Sequence, residues 1–172
     1  MKPETQFHLL FVCSGNSCRS PMAEGLMREK LPRRYRDAVK IASAGTLGID
    51  GMPAAEHAQT VIAENLGSIV GHRSQGLRRN LVAGADLILV MSSEHLKFIE
   101  EHFSEFRAKA HLLREFEHDQ PPKDADIEDP IGSDLDTYRE CADLIDSELE
   151  RILPSLFQMI DEKLGKNHPS KR

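Results

Sequence analysis

His8-Leu9-Leu10-Phe11-Val12-Cys13-Ser14-Gly15-Asn16-Ser17-Cys18-Arg19-Ser20-Pro21 decides how the rest of the chain is read. Leu9 to Val12 is a short apolar run, the pattern of a buried strand. It ends at Cys13, and small polar residues follow. Arg19 lies six positions after Cys13, and Pro21 stands where a helix would start, at the first position that proline favours. Strand, tight loop and helix N-terminus therefore come in that order. Backbone N–H groups of such a loop can converge on one spot, and the helix dipole adds positive potential there. That geometry suits a tetrahedral oxyanion. Cys13 is placed as a nucleophile, because a thiolate is stabilised at a helix N-terminus beside a fixed positive charge. Arg19 can offer phosphate oxygens a planar, bidentate fork. Gly15 and Asn16 tolerate the positive φ that a cradle needs. Taken singly, Cys13 is a buried strand-end cysteine and Arg19 a surface residue. The strand before them, Gly-Asn between them and Ser-Pro after them make the pattern specific.

The chain has 172 residues, enough for one domain with a substantial core. Its formal charge is −6, from 22 basic and 28 acidic residues, with no basic run. That balance excludes a nucleic-acid or anionic-membrane surface. An acidic protein that binds an anion must concentrate positive potential locally, as this loop would. The three cysteines, Cys13, Cys18 and Cys141, are too few for a disulfide scaffold. No run is long enough to span a bilayer, and the N-terminus lacks the basic and apolar segments of a signal peptide. The expectation is a cytoplasmic, reducing location.

From residue 20 to 30 the spacing of Met22, Ala23, Leu26 and Met27 predicts a helix, ended by Leu31-Pro32. Residues 33–37 read as a charged surface turn, and Val39 to Thr46 as a second strand. Met52-Pro53 is expected to open a helix reaching Leu66, and Leu77 to Ala83 a short one. Leu87 to Met91 is apolar throughout, as central parallel strands are. Ser92 or Ser93 can cap the next helix, and Ala110 to Leu113 suggests a fourth strand. Residues 115–128 read as an acidic loop. A long helix follows, capped by Ser133 or Asp134, with Cys141 on its apolar face and a kink or break expected at Pro154. Residues 1–164 are read as a single domain and 165–172 as a disordered tail. The expected fold is α/β: three layers, with a mainly parallel four-stranded sheet, helices on both faces and a phosphate-binding loop after strand one. Ligands of such sheets bind at the carboxyl ends of the strands, where Cys13 lies.

Val12-Cys13, Gly15-Asn16 and Cys18-Arg19-Ser20-Pro21-Met22-Ala23-Glu24 resemble the low-molecular-weight protein tyrosine phosphatase family. The resemblance implies a phosphatase acting on phosphorylated protein or peptide through a cysteinyl-phosphate. The loop residues Ser14, Gly15, Asn16, Ser17 and Cys18 would bind the phosphate together with Arg19. Asp129-Pro130 resembles the family's acid loop, whose aspartate protonates the leaving group and later activates water; by spacing alone, Asp129 is one acid among many. Ser20 resembles the serine that donates to the departing thiolate, although capping of the helix is an equally ordinary role for it. Asn16 resembles the residue that holds the strained loop through a serine and a histidine, here Ser43 and His72; His72 could equally be a lone loop histidine. Cys18 is either a buried loop residue or a partner for a reversible disulfide with Cys13. The remaining histidines show no ligand spacing, so no metal site is indicated, and this chemistry calls for no cofactor.

Phosphotyrosine enzymes of the family usually carry a bulky aliphatic residue two before the arginine and an aromatic after the acid-loop Asp-Pro. Here those positions hold Ser17 and Ile131-Gly132. Relatives that act on phosphoarginine carry threonine at the Ser17 position, which Ser17 partly matches. Phosphotyrosine is the first reading and phosphoarginine the alternative. An arsenate reductase on the same fold is disfavoured, because its disulfide relay needs cysteines in mid-chain and none lies between Cys18 and Cys141.

Overall fold

β1 (Phe7–Cys13) runs through the middle of the molecule and sets the two layers around it. Its side chains alternate, as a strand's must. Phe7, Leu9 and Phe11 enter one apolar cluster, while Leu10 and Val12 enter another on the opposite face. The structure, a computed structural model, describes residues 6–165. After β1 come α1 (Arg19–Lys30), α2 (Arg33–Arg36), β2 (Val39–Gly45), α3 (Glu56–Glu64), α4 (Arg79–Gly84), β3 (Leu87–Val90) and α5 (Ser93–His102). A 3-10 turn (Ser104–Lys109), β4 (Ala110–Leu112) and α6 (Leu135–Lys163) complete the order. The strand order is β2-β1-β3-β4, and every pairing is parallel. Met22 and Leu26 of α1, Ile62 of α3 and Ile145, Leu149 and Ile152 of α6 cover one face. Val82 of α4 and Ile99 of α5 cover the other. The three-layer α/β arrangement expected from the sequence is present.

Several local expectations change. Pro21 is the third helical residue, because α1 begins at Arg19 with Cys18 as its N-cap. It still sits among the first four N–H groups that a helix leaves without a partner, so the proline costs no helical bond. The segment 33–37 is one helical turn, and Tyr35 is buried in it, its hydroxyl 2.9 Å from both carboxylate oxygens of Asp161. Residues 52–55 are extended and α3 starts only at Glu56. Their backbone is committed elsewhere: Ala55 N–H donates to Ser17 O (2.9 Å) and Met52 N–H to Ser74 Oγ (3.0 Å). Pro154 does not break α6, which is continuous over its 29 residues. An interior proline costs about 3 kcal/mol. The buried Leu149, Ile152, Leu156 and Ile160 around it are each worth about 1.5–3 kcal/mol, so continuity of the apolar face wins. No helix among the described residues is long and apolar enough to cross a membrane. The tail expected at 165–172 lies outside the described residues except for Gly165.

Candidate active site

The loop between β1 and α1 is held from outside by its carbonyls. Cys13 O accepts from Thr46 N–H (3.0 Å), Ser14 O from Leu47 N–H (3.0 Å), Ser17 O from Ala55 N–H (2.9 Å) and Cys18 O from Met22 N–H (3.1 Å). Asn16 O accepts from His72 Nε2–H (2.8 Å). A trans peptide places the next N–H opposite its carbonyl. The N–H groups of Ser14, Gly15, Ser17, Cys18 and Arg19 are thereby turned away from those outer partners. Gly45 permits the close approach behind the loop: a Cβ there would lie 2.5 Å from Ser14 O and 2.9 Å from Asn16 N.

The positive φ that the cradle needs belongs to Asn16 (φ 54°) and not to Gly15. Left-handed backbone costs a non-glycine residue about 1–2 kcal/mol. The buried Asn16 side chain offsets it, with Nδ2 donating to Ser20 Oγ (2.8 Å) and Ser43 Oγ (2.9 Å) and Oδ1 accepting from Gln75 N–H (2.9 Å). Ser43 Oγ in turn donates to Glu24 Oε2 (2.5 Å). Asn16 is thus tied to Ser43 and His72, and Gln75 and Glu24, which carried no signal in the sequence, join the same network. Ser20 is no cap, since the N-cap Cys18 makes no side-chain capping bond; its Oγ lies 2.9 Å from Cys13 Sγ. Cys18 is buried, 3.2 Å from Tyr138 OH, and burial pushes its thiol up from the ordinary range. Cys141 is buried on the inner face of α6, and burial pushes it up to about 12.

Arg19 is 3 % exposed. Its Nη1 donates to Ile127 O (2.8 Å) and its Nη2 to Ser14 Oγ (3.2 Å), while Nη2 also lies 3.3 Å from Asp129 Oδ2. Its Nε is buried with no hydrogen-bond partner among the described residues. An unpartnered donor on a buried guanidinium, at the lip of a ring of N–H groups, fits an oxyanion. Asp129 comes from the segment before α6. Ile127 N–H holds that segment to Met91 O at the end of β3 (2.8 Å), and Ile131 N–H closes a turn onto Asp129 Oδ1 (3.2 Å). Cys13, Arg19 and Asp129 are so drawn together from segments more than a hundred residues apart. Among the described residues no cluster of three His, Cys, Asp or Glu side chains could hold a metal ion.

The low molecular weight phosphotyrosine protein phosphatase family model matches residues 8–168. The chain belongs to that family. Among its relatives, a protein-arginine-phosphatase of Geobacillus stearothermophilus is 36 % identical over 87 % of this chain and 96 % of its own length. The low molecular weight protein-tyrosine phosphatase A of Mycobacterium tuberculosis (strain ATCC 25618 / H37Rv) is 34 % identical over 95 % of this chain and 97 % of its own. The solved structure of the YwlE arginine phosphatase from Geobacillus stearothermophilus aligns with a TM-score of 0.80 at 33 % identity, over 95 % of this chain and 99 % of that one. The family's two kinds of named members therefore stand at nearly equal distance from this chain.

One residue at the site was passed over in the sequence. His95, in the first turn of α5, lies 2.9 Å from Ser14 Oγ and is 1 % exposed. Two signals could have found it. Ser92-x-x-His95 has the spacing of a capping box with histidine in the acidic position, and it follows the carboxyl end of β3, where ligands of such sheets bind.

Proposed function

We propose that this member of the family hydrolyses phosphorylated protein side chains with Cys13 as nucleophile, Arg19 and the loop N–H groups of residues 14–19 as the phosphate cradle, and Asp129 as the proton donor. The approach of Asp129 to Arg19 at 3.3 Å, with Arg19 Nε left unpartnered at the end of the loop that begins at Cys13, carries the reading. In the first half-reaction the Cys13 thiolate forms a bond to phosphorus. The P–O bond (P–N for phosphoarginine) breaks, and Asp129 protonates the leaving group. In the second half Asp129 takes a proton from water, whose oxygen attacks phosphorus and releases Cys13. Ser20 Oγ, 2.9 Å from Cys13 Sγ, donates a hydrogen bond to the departing thiolate. Asn16, Ser43 and His72 hold the loop in shape. No step needs a metal or cofactor. All three cysteines are free, and the thiolate chemistry suits a reducing compartment, which supports a cytoplasmic location. The test is turnover of an aryl phosphate in chelator, dependent on Cys13.

Asp124 and Asp126 are nearby acids with other occupations. Asp126 accepts from Ser93 N–H (2.6 Å) and Ser93 Oγ (3.0 Å), and Asp124 Oδ1 accepts from Asp126 N–H (3.1 Å). Asp129→Asn is therefore expected to slow phosphate esters of poor leaving groups far more than activated aryl phosphates, which depart without an acid. Rates for a series of aryl phosphates of graded leaving-group basicity check this. An equal effect across the series would move the role away from Asp129.

Phosphotyrosine is the first reading for the substrate, and phosphoarginine is favoured by one observation, Ser17. This half-buried loop residue puts a small hydroxyl where an aliphatic wall would flank a phenyl ring, and Ile131, after Asp129-Pro130, is 62 % exposed. Ser17→Ile is expected to raise the ratio of phosphotyrosine to phosphoarginine kcat/KM about tenfold or more. An added apolar wall favours the ring and desolvates the guanidinium, a difference of about 1–3 kcal/mol. The ratio on matched peptides measures it; no change would give the selectivity to Ile131 and Gly132.

A further inference from the structure

His95 sits at the third position of α5 and is almost without solvent. Ser92 N–H donates to its Nδ1 (3.0 Å). A ring nitrogen that accepts from a main-chain N–H carries no proton, so the neutral ring bears its proton on Nε2. Burial first, then the nearby Arg19 charge, hold the ring down at about 4, so it is neutral over the range in which the protein would work. Nε2–H therefore donates to Ser14 Oγ (2.9 Å). The same hydroxyl accepts from Arg19 Nη2 (3.2 Å) and donates to Glu94 Oε1 (3.2 Å). Two bonds accepted and one donated saturate a serine hydroxyl, so the direction of every bond in the chain is set.

We infer that His95 is a positioning residue for Arg19: through the Ser14 hydroxyl it fixes the guanidinium that meets the oxyanion. Ile127 O holds one end of the guanidinium and Ser14 Oγ the other. Without His95, Ser14 Oγ can rotate to other partners, and Arg19 loses one of the two acceptors that fix its guanidinium. The link also couples α5, at the end of β3, to the loop at the end of β1. The inference rests on the proposed role of Arg19 in phosphate binding.

Two substitutions separate positioning from mere packing. Asn places an acceptor where Nδ1 stands and keeps the α5 cap, but it cannot reach Ser14. Gln reaches Ser14 with its amide N–H, and its amide oxygen is an ordinary acceptor at this place in a capping box. Positioning predicts that His95→Asn lowers kcat/KM for an aryl phosphate and weakens calorimetric inorganic-phosphate binding by about tenfold each, the scale of one ordinary hydrogen bond. His95→Gln recovers most of both, even where its melting temperature falls. Packing alone predicts similar losses in the two variants, because both remove the buried ring, and equal losses in Asn and Gln overturn the inference. Ser14→Ala should match His95→Asn, and the double variant should lose no more than either single one, because the two act in one chain. Should His95→Asn fail to fold, the wild-type ring decides: long-range ¹H–¹⁵N correlation is expected to show Nε2 protonated, Nδ1 bare and the Nε2–H signal shifted in Ser14→Ala. A proton on Nδ1, or no shift, overturns it. Phosphate binding is read without turnover. Wild-type protein that binds phosphate but hydrolyses nothing defeats the phosphatase reading alone, and an active wild type with unaltered His95→Asn defeats this one alone.

Discussion

Cys13→Ser is expected to abolish turnover of aryl phosphates and phosphopeptides while leaving phosphate bound in the loop. Serine's hydroxyl is nearly un-ionised at neutral pH and has no base at hand. Its neighbour at 2.9 Å is Ser20 Oγ, itself a hydroxyl that already accepts from Asn16 Nδ2. The loss should be roughly ten-thousandfold or more, the scale on which enzymes lose their nucleophile. The cradle should survive, because nothing that holds it passes through the thiol. Its carbonyls hang on Thr46, Leu47, Ala55, Met22 and His72, and its one strained residue hangs on Asn16's own amide. Three measurements check this: phosphate affinity by calorimetry, the burst of product in wild-type protein, and a phosphocysteine trapped by acid quench and found by mass spectrometry on the peptide carrying Cys13. Substantial residual turnover in the folded variant would remove the covalent intermediate from the mechanism.

What could be read along the chain, and what could not, follows from the range of the interactions involved. β1 and β3 were legible as short apolar runs and α6 by its apolar spacing of three to four residues, local properties of the sequence that burial obeys. The loop was legible because its residue types have few other uses in that order. The start of α3 was not: Met52-Pro53 is a good opening, but the backbone of 52–55 is bonded to Ser17 and Ser74, which are distant in sequence. Pro154 misled in the opposite direction, since the local rule was outweighed by a long buried face on both sides of it. Tyr35 looked like part of a charged turn because its partner, Asp161, lies 126 residues away. At the candidate site Cys13, Arg19 and Asp129 were all in view, whereas Ile127 was not. Its carbonyl does the work, and a backbone carbonyl has no side-chain signature. His95 was hidden because a lone histidine gives no sign of which hydroxyl it will meet.

Arg19→Lys is the second large effect, expected at a hundredfold or more in kcat/KM, the scale of removing one preorganised oxyanion donor. Charge is conserved in this exchange, so the loss isolates geometry. The guanidinium makes three contacts at once, Nη1 to Ile127 O and Nη2 to Ser14 Oγ and to Asp129 Oδ2 at 3.3 Å, and keeps Nε unpartnered. A lysine ammonium is a point charge on a flexible stem and can satisfy these one at a time. If it settles on Ile127 O or Asp129, the phosphoryl group loses its clamp; if it turns to the phosphoryl group, a buried carbonyl loses its donor. Either choice should also free the segment 127–129 that carries Asp129, since Arg19 is one of its ties to the loop. The variant is therefore expected to lose phosphate affinity and, beyond that, to discriminate more sharply against poor leaving groups, in the direction of Asp129→Asn. Phosphate calorimetry and the graded aryl phosphate series together check this. Wild-type kcat/KM in Arg19→Lys would place Arg19 outside the reacting centre. A loss confined to KM, with the leaving-group dependence intact, would show that Arg19 binds phosphate without holding the acid in place.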